Sequence, residues 1–150
     1  MIQADIFNPV NFLNAGIAQN MMNMVQTSDD IGVATLKQCA DKEGKFTFDA
    51  ASSVQDPSPI VKGKDVTFDM EGIVASPMDV SKIHLHVNWN GTPLYDQDYK
   101  VGQHFDASFD YKMKWFVPSY APAGKYAITL TGYDQDGSTS DMCVGATFQL

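Results

Sequence analysis

The 150-residue sequence contains no arginine, few cysteines and no long apolar run. Its ten basic residues are all lysines and stand against eighteen acidic residues, so the formal net charge is -8. Nucleic acid is bound through a basic surface, and this balance therefore predicts no nucleic-acid partner. No run of about 18 apolar residues occurs, so we predict no transmembrane segment. The first residues also lack the basic and apolar regions of a secretory signal peptide.

The two cysteines, Cys39 and Cys143, are too few for a small disulfide scaffold and lack the spacing of a metal site. Joined to each other, they would close a loop of about 100 residues and stabilise the fold by up to ~4.7 kcal/mol. Two unrelated buried thiols are an equally good interpretation of the residues alone. Asn90-Gly91-Thr92 is a glycosylation sequon, which makes Asn90 a candidate glycosylation site.

The N-terminal residues have the pattern of a helix. Asn8 is a candidate N-cap before Pro9, and Phe7 and Phe12 occupy the positions of a hydrophobic staple. One apolar stripe predicts a helix over about 9–26; it consists of Val10, Leu13, Ile17, Met21 and Met24. We predict that this helix, between Pro9 and Gln26, docks on its own domain or on a protein partner.

From Gly44 onward, apolar and polar residues alternate, as in strands with one buried face. The longest alternation predicts one strand over 105–117, ended by Pro118 and paired in a hairpin-like manner with a strand that begins near Lys125. Asn90-Gly91 predicts a two-residue hairpin turn. Further strands are predicted around 46–48, 66–70, 83–89 and 142–150. About seven or eight antiparallel strands predict an all-β, immunoglobulin-like β-sandwich.

Candidate catalytic and metal-binding residues are few. His84 and His86 share one face of a strand, but no third ligand is apparent, so we predict no metal site there. The acidic turn over 134–137 lacks the remaining ligands of a calcium loop. Other carboxylates show no sign of the burial that acid–base catalysis needs; they are Asp96, Asp98, Asp106 and Asp110. We therefore predict that the protein is not an enzyme and has no cofactor.

The β region resembles the ML lipid-recognition family, which includes the Niemann-Pick type C sterol-binding protein, fungal phosphatidylglycerol/phosphatidylinositol transfer proteins and a group of mite allergens. The resemblance covers about 39–150, so we predict an ML-like sandwich over 39–150 and a helical extension or docking arm over 1–38. The matching features are Cys39, the segment 59–64 before the 66–70 strand, the segment 90–94, Val117-Pro118 followed by 121–126, the acidic turn 134–137, and Cys143.

This resemblance implies two splayed sheets that enclose a lipid cavity, and a disulfide between Cys39 and Cys143. It also implies binding of a sterol, fatty acid or phospholipid tail, for transfer or presentation, in a secreted or lumenal setting such as a lysosome, vacuole or endomembrane. The implied mouth of the cavity consists of Leu94, Tyr95, Trp115, Val117 and Pro122. The implied walls are Val66, Phe68, Met70, Leu85, Val87, Phe109, Tyr111, Met113, Ile128 and Leu130.

A second interpretation stays open, because the bulky aromatic side chains of the inner faces are large enough to fill the sandwich completely. In that case the chain would be a structural subunit of a larger assembly. It would keep the ML-like sandwich and dock through its N-terminal helix. An apolar cavity favours the lipid-binding interpretation, and a closed core favours the structural one.

Overall fold

The computed structural model describes residues 2–14, 31–39, 46–134 and 140–150. In these residues the chain forms ten strands and one short helix. In chain order they are β1 (Ile2–Gln3), α1 (Pro9–Asn14), β2 (Thr35–Gln38), β3 (Phe46–Phe48), β4 (Val54–Asp56), β5 (Lys64–Val74), β6 (Met78–Trp89), β7 (Thr92–Phe105), β8 (Ser108–Val117), β9 (Lys125–Tyr133) and β10 (Ser140–Gln149).

The strands form two sheets that pack face to face. Sheet A has the order β1-β8-β5-β3, and β4 also pairs with β5; sheet B has the order β2-β10-β9-β6-β7. All pairings between these strands are antiparallel except that of β1 with β8. The predicted all-β sandwich is confirmed. The predicted strand around 46–48 is β3, and the additional strands β1, β2 and β4 have two to four residues each, which is too short to show a clear alternation.

Alternation along the long strands separates a buried face from a solvent face, as β8 shows. Its odd-numbered side chains from Phe109 to Val117 are buried, and the even-numbered ones, including Lys112, point outward. Phe116, the one apolar residue among the even positions, is 53% exposed, so the period of two continues to the end of the strand. The same separation in β5, β6 and β9 places the core between the sheets.

The predicted strand over 105–117 is two strands in different sheets. β7 ends at Phe105 in sheet B, the chain turns at Asp106-Ala107, and β8 begins at Ser108 in sheet A. The predicted pairing of this region with the strand at Lys125 was also wrong, because β9 belongs to sheet B. Alternation continues through the turn because both strands face the same interior, and periodicity alone does not report which sheet a strand joins.

The hairpin between β6 and β7 confirms the two-residue turn. Asn90 and Gly91 have φ values of 50° and 82°, and Trp89 pairs with Thr92. Positive φ at both turn positions favours asparagine followed by glycine. The Asn90 side chain accepts a hydrogen bond from the Lys125 backbone N–H through Oδ1 at 2.9 Å, so the turn is fastened to the start of β9. Glycosylation of Asn90 stays a prediction.

At the N-terminus, the backbone N–H of Val10 donates to Oδ1 of Asn8 at 3.0 Å, which confirms Asn8 as the N-cap of α1. Most of the predicted helix, including Ile17, Met21 and Met24, lies outside the described residues. Within α1, Val10 and Leu13 are 53% and 76% exposed. In the part of the chain that the structure describes, no helix is long and apolar enough to cross a membrane.

Cys39 and Cys143 form the disulfide that the family resemblance implied, with a Cα–Cα distance of 5.1 Å and a sequence separation of 104. The bond joins the segment after β2 to β10, beside a backbone hydrogen bond from Cys39 N–H to the Cys143 carbonyl at 3.1 Å. The predicted acidic turn falls mostly outside the described residues, which resume at Ser140.

Candidate functional site

The fold brings the predicted wall residues together on the facing sides of β5, β6, β8 and β9. Each of these ten side chains is 4% exposed or less, and Val66, Phe68, Leu85 and Val87 are fully buried. None of the buried residues in the described part of the chain is charged. Between the sheets there is therefore a continuous, uncharged interior.

The two sheets contact each other across this interior through aromatic side chains. The ring of Trp115 in sheet A stacks on Phe148 in sheet B with centroids 6.2 Å apart. Phe68 meets Trp115 at 4.9 Å, and Tyr126 stacks on Phe148 at 5.3 Å. Aromatic side chains of both sheets therefore lie between the predicted walls.

The N-terminal segment contributes further side chains to this interior. Ala4, Ile6 and Phe7 are 7%, 1% and 3% exposed and belong to the same apolar cluster as the inner faces. The Phe7 ring lies 5.3 Å from Tyr126, and Phe12 meets Trp89 edge-on at 6.1 Å. The two phenylalanines thus pack on the sandwich. The sequence offered no signal for the burial of Ile6 and Phe7, because they lie outside any periodic run.

The residues assigned to the cavity mouth are mostly closed over. Leu94 is 7% exposed and Val117 is fully buried, whereas Tyr95 and Pro122 are half-buried. The Tyr126 hydroxyl donates to the Pro122 carbonyl at 2.7 Å, and burial raises the Tyr126 pKa well above its ordinary value. This phenol therefore stays protonated and acts as a donor that fastens the Pro122 corner to sheet B.

A surface groove of about 300 Å³ opens where the N-terminal segment leaves β8. β1 pairs with β8 at Met113 and Lys114, and the last backbone bond between the two segments runs from Ala4 N–H to the Lys114 carbonyl at 3.1 Å. The groove is lined by Gln3, Ala4 and Asp5 on one side and by Asp65, Lys114, Trp115 and Phe116 on the other. Trp115 thus belongs to the groove as well as to the interior.

Two buried indole groups have no hydrogen-bond acceptor among the described residues. They are the Nε1 atoms of Trp89 and Trp115, whose side chains are 0% and 1% exposed. A buried donor without an acceptor costs about 1–3 kcal/mol. Trp89 Nε1 lies against Gly124, where an added Cβ would come within 2.6 Å of it. Trp115 Nε1 is a buried donor of a residue that also lines the groove.

The outer face of sheet A carries three carboxylates whose oxygens lie within 4.8 Å of one another: Asp69, Glu71 and Asp110. Burial, and then the neighbouring Asp110, raises the pKa of both Asp69 and Glu71. Oxygen ligands of this kind suit a hard cation such as Ca²⁺, but an acidic cluster on a solvent face is also common without one. The cluster points away from the interior and takes no part in the site between the sheets.

Several inner-face residues were missing from the predicted site. Alternation over 83–89 and 142–150 had already placed most of them on an apolar face, so this signal was sufficient to include them. Tyr126 was likewise on the apolar face of the predicted strand from Lys125. The missing residues are Val80, Ile83, Trp89, Tyr126, Met142, Val144, Ala146 and Phe148.

The two antiparallel sheets and their uncharged interior define a β-sandwich with one apolar core. Residues 33–150 match the family model of the ML domain, and the chain belongs to this family. The match confirms the resemblance found in the sequence, and it begins after the N-terminal segment that enters the interior. No curated protein sequence matches the chain at a significant level.

The chain is similar to several solved structures. The chain is similar to a Niemann-Pick type C2 protein from Japanese carpenter ant, with a TM-score of 0.52 and 15% identity over 77% of this chain and 98% of that chain. Chicken MD-1 complexed with lipid IVa matches with a TM-score of 0.44 and 17% identity, over 76% and 86% of the two chains. A protein from Archaeoglobus fulgidus gives 0.40 and 11%, over 66% and 94%. The similarity to the Niemann-Pick type C2 protein supports the two-sheet fold.

Proposed function

We propose that the protein binds a sterol, a fatty acid or a phospholipid tail between its two sheets and transfers or presents it. The observation that carries this proposal is the interior itself, in which no buried residue of the described part is charged. Such an interior accepts hydrocarbon without desolvating a charge, and each buried methylene contributes about 0.8 kcal/mol. Membership of the ML domain family supports lipid binding in general.

Because each wall residue is 4% exposed or less, a lipid needs space that some side chains now occupy. The N-terminal segment is the part best suited to leave the interior and make this space. Its residues Ile6 and Phe7 belong to the core but lie before the family match, which begins at residue 33. We propose that this segment acts as a tethered occupant, which withdraws when a lipid enters. The groove beside Ala4 and Trp115 marks where the opening begins.

The two side chains set a minimum length for the lipid chain. Exposing Ile6 and Phe7 costs about 3–6 kcal/mol, at about 1.5–3 kcal/mol for each side chain. At about 0.8 kcal/mol per methylene, about four to eight buried methylenes offset this cost. Lipid chains longer than this bind with net gain, and shorter ones leave the segment in place.

Trp115 supplies the polar contact of the proposed site. Its buried Nε1–H lacks an acceptor within the described residues. A carboxylate, ester or hydroxyl oxygen of a lipid would satisfy it and recover the cost of the unpaired donor. The proposal therefore favours lipids that carry an oxygen at one end over plain hydrocarbons.

The test is native mass spectrometry of the protein from its source with lipid extraction of the same sample, followed by titration with saturated fatty acids of increasing length. We expect a lipid in stoichiometric amount and tight binding only above about eight methylenes. Phe7→Ser should move this threshold to shorter chains, because it weakens the segment that the lipid displaces.

A pair of identical substitutions provides the control for the location of the site. Val117→Asp places a carboxylate in the interior and should abolish binding, whereas Val54→Asp lies on β4, where the side chain is 53% exposed, and should leave it unchanged. A cooperative thermal unfolding transition in both variants is the control which shows that they are folded. A bare mass under conditions that preserve lipid complexes, with no binding of long-chain acids, would refute the lipid-binding proposal.

A secreted or lumenal location is part of the proposal. The Cys39–Cys143 disulfide supports it, because disulfides persist in oxidising compartments. The alternative role, a subunit that docks through its N-terminal helix, has one supporting observation in the described residues, the exposure of Val10 and Leu13 on α1. That role becomes the leading one if the lipid titration fails.

A further inference from the structure

We propose a transition-metal site of the zinc type on the outer face of sheet B, formed by His84, His86, Asp96 and Asp98. The sequence showed only the two histidines on one face of a strand. The β6–β7 pairing supplies the missing ligands, because His84 lies directly opposite Asp98 and His86 directly opposite Asp96. Side chains directly opposite each other in an antiparallel pair have Cβ atoms about 4.5–5.5 Å apart. All four side chains therefore share one small area of the solvent face.

The contacts between these groups show that one carboxylate reaches both imidazoles. Oδ1 of Asp96 contacts Nε2 of His84 and lies 3.7 Å from Nδ1 of His86. On its other side, His84 approaches Oδ1 of Asp98 through Nδ1 at 2.5 Å. The His84 ring thus lies between two carboxylates. A divalent cation at this point would be attracted by both carboxylates and by the imidazole nitrogens.

Asn88 holds His86 in an orientation that suits a metal ligand. Its Oδ1 lies 3.1 Å from Nε2 of His86, and because an amide oxygen only accepts, Nε2 carries the proton. The lone pair is then on Nδ1, the nitrogen that faces Asp96. Metal-binding histidines characteristically donate their other ring N–H to an oxygen in this way, which sets the tautomer and the ring orientation.

The ligand set determines the kind of metal. Two imidazoles and one or two carboxylates form a tetrahedral site for Zn²⁺, with metal–ligand distances of about 2.0–2.2 Å. The His84 ring must turn away from its position between the carboxylates to place a nitrogen beside that of His86. The side chains are free to do so, because His84 and His86 are 33% and 34% exposed, and Asp96 and Asp98 are 59% and 53% exposed.

The third histidine of the chain provides an internal control. His104 contacts Asp79 at 2.5 Å and Asp106 at 2.8 Å, but it is the one imidazole in that group. Lys82 places a positive charge beside the proposed site, with its Nζ 3.9 Å from Oδ2 of Asp98. A metal that needs two imidazoles therefore distinguishes the His84 area from the His104 area.

The test is calorimetric titration of the full-length chain, free of any histidine tag, with ZnCl₂, together with NMR of the imidazole groups. We expect one Zn²⁺ per chain, with shifts of the His84 and His86 resonances and none for His104. His86→Gln should abolish saturable binding. Asn88→Ala should weaken it by about 10-fold, because it removes the group that orients His86. His104→Gln should leave binding unchanged.

Absence of saturable binding up to about 1 mM Zn²⁺ would overturn the proposal. So would binding that survives His86→Gln, or binding that His104→Gln weakens as much as His86→Gln does. Because the substituted side chains are exposed on the outer face, far-ultraviolet circular dichroism should be unchanged in all the variants. The result does not depend on lipid binding, since the site lies on the opposite face of the sheet from the interior.

Discussion

The two faces of each long strand carry opposite chemistry in this protein. On β8, Tyr111 and Met113 face an interior without charge, and their neighbours Asp110 and Lys112 face water among other charged groups. The inner face derives its stability from packing, in which each deleted group leaves a cavity. The outer face depends on exposed charges, whose pairwise contributions are small. The comparison predicts large effects from inner substitutions and small, pH-dependent effects from outer ones.

The outer faces of the two sheets also differ from each other. Sheet A crowds the carboxylates of Asp69, Glu71 and Asp110, whereas sheet B pairs carboxylates with histidines, as at His104. Burial, and then the neighbouring Asp110, raise the pKa of Asp69, and hydrogen bonding to Asp79 and Asp106 raises the pKa of His104. A raised folded-state pKa contributes stability at low pH that is lost as the pH rises. In acid, the carboxylates of sheet A lose their mutual repulsion and His104 of sheet B keeps its attraction to its aspartates. Both effects make the folded state more stable at low pH than at high pH.

The largest effect should come from an inner aromatic residue. Phe68→Ala deletes a fully buried ring that contacts Trp115, and it should lower the free energy of unfolding by about 3–5 kcal/mol. Phe116→Ala, on the outer face of β8, should change it by about 0.5 kcal/mol or less. Urea unfolding of both variants measures the difference. Equal losses of the free energy of unfolding in the two variants would mean that the inner and outer faces do not differ in their contribution to stability.

The Cys39–Cys143 disulfide should be nearly as important. Replacing both cysteines by serine removes a link across 104 residues and should cost about 2–5 kcal/mol. Cys143 points to the side of sheet B where its Sγ lies 3.7 Å from Oγ1 of Thr131, away from the aromatic core. Thermal unfolding with and without reductant checks this prediction. Reductant should lower the melting temperature of the native chain and leave that of the double variant unchanged.

A smaller effect of opposite sign is expected from the crowded carboxylates. Asp110→Asn removes a like charge directly opposite Glu71 and should raise the free energy of unfolding at neutral pH by about 0.2–1 kcal/mol. The gain should disappear as the pH falls and the carboxylates become protonated, because their raised pKa values make the native chain itself more stable in acid.

The matched variant for this test is Asp65→Asn, on the same pair of strands. Asp65 contacts Lys114 at 3.2 Å, so its removal should slightly lower the stability at neutral pH. Chemical unfolding across a pH series distinguishes the two variants. Stabilisation by both, or by neither, would contradict the assignment of repulsion to the Asp69, Glu71 and Asp110 cluster.

The smallest effect should come from His104. Its raised pKa means that the protonated form is favoured by folding, so the contribution is complete below the ordinary histidine range and is lost as the pH rises through the raised value. His104→Gln should therefore lower the melting temperature at about pH 5 and have no effect at about pH 9. Asp79→Asn should behave in the same way. A shift of equal size at both pH values would show that His104 acts by packing instead.

The interior was largely predictable and the surface site was not. Alternation placed Val66, Leu85 and Met113 on inner faces correctly, because burial of one strand face requires a period of two. It did not reveal that Ile6 and Phe7 enter the same core, since an irregular segment has no period. Nor did it reveal that two aspartates lie opposite His84 and His86, because register depends on the pairing of β6 with β7.

The sequence by itself determined the inner faces of the long strands and the Asn90-Gly91 turn, because these follow from local side-chain patterns and backbone preferences. The cysteine pair was predictable through the family pattern. The tertiary structure alone decided that the chain changes sheets between Phe105 and Ser108 and that aromatic rings from the two sheets meet in the interior. These features arise from contacts between residues distant in sequence, whose geometry exists only once the two sheets have packed together.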